Sequence, residues 1–435
     1  MRYDLGRFRR PMRRSAEGQL MSLIGLGDGS TLSLDFTAMS SLDSRFTFTR
    51  SSTTATFVNS SGLIATAGTD VPRFDYNPTT LSPRGLLIES SVTNELQRSN
   101  EFNTSPWYTL NFNTPTIASP SVTDPAGGTN TWYGVPSGAG SVIHGFRYNT
   151  TFTAVAYTFS IWAKAAQHDK FIISDGSGGN GACRFDLTAI TATPITGGVT
   201  PTNAQIVQYP NGWFRCSFTM VMPAALRGMA YSSYPTGATT SAFGATFTAT
   251  GTDGMYFYGA QTEIASGPSS YIPTVASTVQ RAADECVMTG SNFSSWFNAS
   301  SGTFFAHASR SRTSDVGRIA SANDNTANES IDIGASTTGQ FIVTDGGSAL
   351  ATITPGTVAV NTAFKIAGAF ELNDVQAALG GTLGTTDTSV TIPTVTQLHI
   401  GRQGGASPVY LNGTVSLLKY WPTRLPDATL QALTA

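Results

Sequence analysis

The spacing of turn residues constrains the fold of this chain more than any other feature of its sequence. Short runs rich in β-branched and aromatic residues are interrupted by Gly, Pro, Asn or Asp about every eight to twelve positions, which is typical of sandwiches and barrels. Helical periodicity is almost confined to residues 426–433, where the pattern predicts a short helix. The sequence therefore predicts an all-β protein.

The best strand candidates alternate between apolar and polar side chains, as expected for antiparallel sheets that face water on one side. In residues 213–220, one face carries Phe214, Cys216, Phe218 and Met220, and the other carries Trp213, Arg215 and Ser217. Residues 101–282 and residues 283–435 each hold about eight such strands, the number found in jelly rolls. We therefore predict tandem jelly-roll β-sandwiches.

Two segments precede the predicted sandwiches. Residues 31–100 form a small β-rich linker unit, with strand candidates at 32–36, 46–49, 55–58 and 63–66. This unit is small for an independent core, so we expect it to pack on a neighbouring unit or on copies of itself. Residues 1–30 are predicted to be an extended basic N-terminal segment.

Positive charge is concentrated at the N-terminus. The first fourteen residues have six arginines and one aspartate, whereas the whole chain has a net charge of −2. One interpretation is a solvated, poorly ordered tail. The other, favoured by the aromatic and proline residues among the arginines, is a peptide that anchors the chain on an acidic partner surface through Arg2, Arg7, Phe8, Arg9, Arg10, Arg13 and Arg14. Because nothing beyond this segment is basic, no nucleic-acid binding is predicted.

The composition narrows the class of protein further. Charged residues make up 12% of the chain, about half the usual share, while Gly is abundant and the apolar fraction of 40% argues against disorder. This balance is typical of extracellular or virion β-proteins. Three cysteines without CxxC spacing predict neither a disulfide framework nor a zinc site. No apolar run approaches the roughly 18 residues of a membrane span, so no membrane insertion is predicted.

Several motifs resemble a module of phage and prophage tail-associated proteins. They are FTFTRSST at residues 46–53, VPRFD at 71–75, RGLLIE at 84–89 and VTNEL at 92–96. Residues 98–102, 211–215, 258–263, 270–274 and 281–284 follow in an order that resembles the carbohydrate-binding-module-like sandwich of such proteins. Residues 364–370, 399–402 and 411–421 are similar to laminin-G or concanavalin A-like domains.

The resemblance implies a setting and two functions. The setting is the surface of a phage-like virion, with a chain made in the host cytoplasm, a homotrimeric assembly and an N-terminus bound to other virion structural proteins. One implied function is a fibre or spike that adheres to host surface polysaccharide. The alternative is a purely structural baseplate, collar or head-decoration protein without glycan binding, and a polysaccharide-degrading spike is less favoured. Such modules occur in all these places, and a shared fold does not decide among them.

Sugar binding needs aromatic faces beside hydrogen-bonding side chains, and recognition residues often lie in loops. In the first sandwich, the candidates are Trp107, Tyr108, Trp132, Tyr133, Tyr231 and Tyr234, which lie in turn-rich segments. In the second sandwich, the candidates are Arg402, Gln403 and Tyr410, which flank a glycine-rich loop. The alternative for each aromatic residue is packing at a sandwich edge or between subunits.

No motif predicts catalysis. Cleavage of a polysaccharide needs two carboxylates about 5 to 10 Å apart, and no spacing selects a pair among Asp175, Asp186, Asp253, Glu263, Glu371 and Asp374. The patterns GxSxG, HExxH and the P-loop are absent, so the chain is predicted not to be an enzyme. No cofactor is predicted. The loops at residues 175–180 and 323–325 leave a structural calcium ion open, although neither has a complete ligand pattern.

Overall fold

The structure is a computed structural model, and it describes residues 28–118, 122–142, 144–176, 179–240, 244–313 and 316–435. The predicted anchoring residues, Arg2, Arg7, Phe8, Arg9, Arg10, Arg13 and Arg14, lie outside the described residues. The first seven strands are β1 (Leu32–Asp35), β2 (Thr47–Thr49), β3 (Ala55–Val58), β4 (Ile64–Ala67), β5 (Arg73–Tyr76), β6 (Pro83–Ile88) and β7 (Val92–Asn94).

The next fifteen strands form the first sandwich and a small sheet beside it. They are β8 (Trp107–Leu110), β9 (Thr116–Ile117), β10 (Trp132–Gly134), β11 (Ala139–Val142), β12 (Gly145–Thr151), β13 (Ala156–Lys164), β14 (Lys170–Asp175), β15 (Gly181–Asp186), β16 (Thr191–Thr196), β17 (Thr202–Tyr209), β18 (Trp213–Val221), β19 (Leu226–Tyr234), β20 (Thr239–Thr240), β21 (Ala245–Thr248) and β22 (Met255–Ile264). A 3₁₀ turn at Pro210–Gly212 links β17 to β18.

The remaining elements belong mainly to the second sandwich. They are β23 (Val279–Arg281), β24 (Glu285–Thr289), α1 (Ser291–Ser294), β25 (Ser301–Arg310), β26 (Gly317–Asn323), β27 (Ser330–Ala335), β28 (Gly339–Asp345), β29 (Ser348–Ile353), β30 (Phe364–Glu371), β31 (Asp374–Leu379), β32 (Thr382–Leu383), β33 (Gln397–Ile400), β34 (Gly413–Trp421) and α2 (Asp427–Thr434). The all-β prediction is confirmed, and so is the short C-terminal helix.

The first sandwich consists of two six-stranded antiparallel sheets. Their strand orders are β17-β18-β13-β22-β10-β9 and β16-β15-β14-β19-β12-β8. The apolar faces enclose a core that contains Phe146, Phe159, Phe218 and Phe257, each with at most 1% of its surface exposed. The predicted inward face of residues 213–220 is confirmed, because Phe214, Cys216, Phe218 and Met220 all belong to this core.

The second sandwich is completed by strands from near the N-terminus. Its larger sheet has the order β32-β31-β30-β25-β34-β6-β5, with β1 also paired to β34, and its other sheet has the order β2-β24-β33-β26-β27-β28-β29. The registers place Leu32 opposite Tyr420 and Ile88 opposite Gly413. Residues 31–100 therefore do not fold as the separate linker unit predicted above, because most of their strands need the second sandwich as a pairing partner. They pack on a neighbouring unit, as expected for a segment too small for its own core.

A network of buried charges joins the early segment to both sandwiches. Asp284 contacts Arg50 at 3.0 Å and also Arg73, and Arg73 contacts Glu89 at 2.7 Å. Arg281 lies 3.6 Å from Glu89. Burial alone would raise the pKa of Glu89, but Arg281 and Arg73 hold it well below its ordinary value. These five residues all belong to, or directly adjoin, the motifs that resemble phage tail proteins, so the motifs encode a structural junction.

Candidate functional site

The predicted role in glycan binding is wrong for three of the aromatic residues, because the structure places their rings in the core. Trp107, Trp132 and Tyr231 have exposures of 4%, 5% and 0%. The indole N–H groups of Trp107 and Trp132 donate to the carbonyls of Arg98 and Asn100 at 2.9 and 2.7 Å. These side chains therefore stabilise the first sandwich and offer no open face to a sugar.

Tyr108 and Tyr133 are half-buried but lie on different sheets, so they do not form one platform. The guanidinium of Arg147 covers the Tyr108 ring, with Cζ 4.7 Å from the ring centroid. The Tyr133 ring packs against Tyr256 with centroids 5.0 Å apart, and its hydroxyl lies 2.7 Å from Gln167 Oε1. Each ring already has one face engaged within the protein.

The three candidates of the second sandwich do come together. Arg402 pairs with Tyr410 across the loop, and its guanidinium lies 5.8 Å from the ring centroid of Tyr410. Arg402 Nη1 is 3.1 Å from Glu285 Oε1, while Gln403 Nε2 donates to Asp332 Oδ2 at 3.2 Å. Because Arg402 is only 7% exposed and these groups bind one another, this cluster mainly fastens the loop to the sheet.

The two loops considered as possible calcium sites do not form an ion site in the part of the chain that the structure describes. Asn323 Oδ1 accepts the backbone N–H of Asn325 at 2.8 Å, and Asp324 Oδ1 accepts that of Thr326 at 2.8 Å. These bonds define ordinary side-chain-stabilised turns. No group of three or more His, Cys, Asp or Glu side chains suited to a metal ion occurs among the described residues. Residues 177–178 of the other loop lie outside them.

The carboxylates weighed for catalysis are dispersed, with one exception. Glu371 and Asp374 face each other across the β30–β31 hairpin. Arg424 Nη2 contacts Asp374 Oδ1 at 2.8 Å, so the Arg424–Asp374 ion pair stabilises a hairpin beside α2. Neither residue lines the cleft between the two sandwiches.

A cleft of about 430 Å³ opens between the two sandwiches, and residues 56–89 supply part of its wall. Its polar lining consists mostly of Ser, Thr, Asn and Gln side chains rather than charged groups. The lining includes Asp75, Arg84, Gln205, Tyr209, Arg215 and His307. Ligand sites lie preferentially at such junctions between domains, in pockets of about 300 to 1,000 Å³. The cleft is therefore the candidate functional site.

The wall from the first sandwich is a covered aromatic cluster. Arg215 and Trp162 are cross-strand neighbours on β18 and β13, and the guanidinium lies 4.6 Å from the indole centroid. Tyr209 packs edge-on against Trp162 with centroids 5.7 Å apart. The aromatic rings thus hold Arg215 flat against the wall, where a planar cation over an indole is favourable.

The wall from the early segment carries a buried carboxylate. Asp75 Oδ1 accepts the backbone N–H of Val58 at 2.8 Å, and Asp75 Oδ2 lies 3.5 Å from Arg84 Nη1. Burial raises the pKa of Asp75 to about 6, although Arg84 opposes this rise. Arg84 is the more open partner, since 41% of its side chain is exposed.

The raised pKa of Asp75 predicts a pH effect on stability. The folded chain holds this proton more tightly than the unfolded chain, so Asp75 contributes stability below about pH 4 that is lost as the pH rises through about 6. Urea unfolding of the wild type and of Asp75→Asn at pH 4 and pH 7 tests this. The stability of the wild type relative to the variant should be higher at pH 4. Equal differences at both pH values would show that Asp75 titrates normally.

The sequence does not predict the cleft, although several residues that line it belong to sequence motifs or predicted strands. Asp75 and Arg84 belong to the motifs at 71–75 and 84–89, and Arg215 belongs to a predicted strand. A sequence signal for these residues is a charged side chain inside a short β-rich run. Burying such a charge costs free energy unless it has a partner, so the pattern indicates a paired or functional charge. The segments that line the cleft come from positions as far apart as residues 56 and 416, so only the fold brings them together.

Comparisons with known proteins give no family. No family model and no curated protein matches the chain. Among solved structures, the chain is similar to the CBM40 of the Ruminococcus gnavus IT-sialidase bound to α2,3-sialyllactose, at 13% identity, a TM-score of 0.30, and coverage of 33% of this chain and 88% of that chain. It is also similar to laminin alpha1 domains LG4-5 of mouse, at 9% identity, a TM-score of 0.23, and coverage of 66% and 92%. Such low scores carry no functional argument.

Among the described residues, no helix has the length and apolar character needed to cross a bilayer.

Proposed function

We propose that this chain is a non-enzymatic appendage of a phage-like particle that binds glycan in the cleft between its sandwiches. The observation that carries glycan binding is the lining of the cleft, which is rich in uncharged hydroxyl and amide side chains. Such groups both donate and accept hydrogen bonds, as sugar hydroxyls do. Arg84, Gln205 and Arg215 supply further donors around the same cavity.

The state of the carboxylates supports binding rather than cleavage. Two carboxylates line the cleft, Asp75 and Glu89, and their pKa values are shifted in opposite directions. Such a pair can serve as acid and base when both groups are open. Glu89 is not open, because its oxygens accept hydrogen bonds from Ser270 N–H at 2.8 Å, Ser270 Oγ at 2.7 Å and Arg73 Nη1 at 2.7 Å. It therefore has little capacity left to activate a water molecule.

A second candidate function is a structural protein that does not bind glycan. The burial of Trp107, Trp132 and Tyr231 favours it, because these aromatics serve the core of the first sandwich. In that case, the cleft would only separate two packed units.

Screening the full chain on an array of bacterial surface polysaccharides separates the two functions. We expect binding by the wild type and a loss of at least about tenfold in affinity for Arg84→Ala, the size expected for a lost charged hydrogen bond. Arg45→Ala is the matched control, since Arg45 is similarly exposed and pairs with Asp43 at 2.8 Å but does not line the cleft. Binding that both variants weaken equally, or no binding at all, would favour the structural function.

The attachment to a particle is proposed from the sequence motifs and from the basic N-terminal segment. We propose that Arg2, Arg7, Phe8, Arg9, Arg10, Arg13 and Arg14 dock on an acidic surface of another virion protein, and that the chain forms a homotrimer on the particle. Removal of residues 1–14 should abolish incorporation into particles, measured by quantitative immunoblotting of purified virions. Normal occupancy of the truncated chain would contradict the anchoring role. A sedimentation mass other than three chains would contradict the trimer.

A further inference from the structure

A second cavity lies on the first sandwich, on the face of the β16-β15-β14-β19-β12-β8 sheet that points away from the core. It has a volume of about 260 Å³ and is lined by Lys170, Arg184, Asp186, Thr191 and Tyr234 among others. None of its residues belongs to the cleft between the sandwiches. We call it the sheet recess.

Strand register explains why these side chains converge. Tyr234 lies opposite Lys170, Lys170 lies opposite Asp186, and Asp186 lies opposite Thr191. The four residues thus form one row across β19, β14, β15 and β16, and directly opposed residues on a sheet point to the same face. Arg184 lies two positions before Asp186 on β15 and shares that face.

The charges of the sheet recess already compensate one another. Lys170 Nζ lies 2.9 Å from Asp169 Oδ2 and 3.2 Å from Asp186 Oδ2. Lys170 and Arg184 are the cations that line the recess, Asp186 is its carboxylate, and Asp169, which does not line the recess, supplies a second carboxylate beside Lys170. A ligand with a formal charge would therefore leave one of these groups uncompensated, whereas a neutral ligand with hydroxyl groups meets both donors and acceptors.

Within this row, the hydroxyl of Tyr234 lacks a hydrogen-bond partner among the described residues. Tyr234 is 2% exposed, and its ring packs against Ile172, Ala182 and Ala245. Its hydroxyl oxygen is buried and has no hydrogen-bond partner within the described protein. Buried polar groups are nearly always satisfied, so an unsatisfied hydroxyl at a cavity points to a ligand that completes it.

We propose that the sheet recess binds one neutral sugar ring, with the Tyr234 hydroxyl and the Lys170–Asp186 pair contacting neighbouring sugar hydroxyls. This inference rests on the proposed glycan-binding function but uses a site separate from the cleft. The volume of the recess suits a single ring rather than a longer chain.

Saturation-transfer NMR of the full chain with methyl glycosides of glucose, galactose and mannose tests the proposal. At least one should give a signal, and Tyr234→Phe should weaken its binding about fivefold to tenfold, the cost of one lost hydrogen bond. Tyr231→Phe is the matched control, because Tyr231 lies on the same strand but faces the core. Binding by Tyr231→Phe should equal that of the wild type.

The melting temperature of Tyr234→Phe shows whether this variant folds as the wild type does. Because the Tyr234 hydroxyl has no protein partner, Tyr234→Phe should retain the melting temperature of the wild type. No signal from any of the three glycosides, equal binding by Tyr234→Phe, or preference for a methyl glucuronide would each overturn the proposal. If Tyr234→Phe binds the glycosides as tightly as the wild type while Arg84→Ala still loses array binding, only the recess proposal is wrong. If the array shows no binding while Tyr234→Phe still weakens the glycoside signal, only the cleft proposal is wrong.

Discussion

Replacing Asp284 with alanine is expected to lower the free energy of unfolding by roughly 3–5 kcal/mol, the usual cost of breaking a buried ion pair. Asp284 is fully buried and contacts both Arg50 and Arg73. Its Oδ2 also accepts the backbone N–H of Glu89 at 2.9 Å. Removal of this carboxylate leaves two buried guanidinium groups with too little negative charge around them.

Urea or thermal unfolding of the full chain measures this effect. Asp43→Ala is the control, because Asp43 pairs with Arg45 near the surface, where such pairs contribute about 1 kcal/mol or less. A loss for Asp284→Ala no larger than that of the control would contradict a structural role for the buried network.

Replacing Gly85 with alanine should cost roughly 3 kcal/mol or more, since strain and overpacking act together at this position. Gly85 has a φ of +98°, and a Cβ atom there would lie 2.1 Å from the carbonyl oxygen of Val415. Val415 is on β34 of the second sandwich, where it pairs with Leu86. The close approach of two backbones at Gly85 therefore helps to fasten β6 to that sheet.

Gly251→Ala provides the comparison for Gly85→Ala. Gly251 also has a positive φ, of +79°, but no other atom lies within 4 Å of its would-be Cβ. Its substitution should cost only the backbone term of about 1–2 kcal/mol. Equal losses of stability for the two variants in urea titrations would show that the contact with Val415 contributes nothing.

Sequence alone predicts much of the secondary structure of this protein, because alternation and turn residues are local signals. The strand at 213–220 and the helix at the C-terminus are in place. Pairing partners are not local. β1 pairs with β34, whose residues are nearly 400 positions later, and alternation tells which face of a strand is buried but not which strand lies beside it. Local signals therefore predict the early segment as a unit of its own, although its strands pair with the second sandwich.

The candidate site was harder to predict than the fold. Trp107 and Trp132 lie near turn residues, as loop residues of a binding site do, yet they occupy short strands whose inner faces reach the core. The sequence predicts Tyr234 as an aromatic platform, but its side chain is only 2% exposed where it lines the sheet recess, so its ring offers no open face. The residues of the cleft come from distant segments, and no spacing in the sequence joins them.

A crystal structure of the full chain with the array polysaccharide fragment that it binds most tightly tests the proposed function most directly. We expect sugar density in the cleft between the sandwiches, with hydroxyl groups within hydrogen-bond distance of Arg84 or Gln205 and with Arg215 still stacked on Trp162. Density that avoids the cleft altogether, or a chain that binds no polysaccharide on the array, would contradict glycan binding at this site.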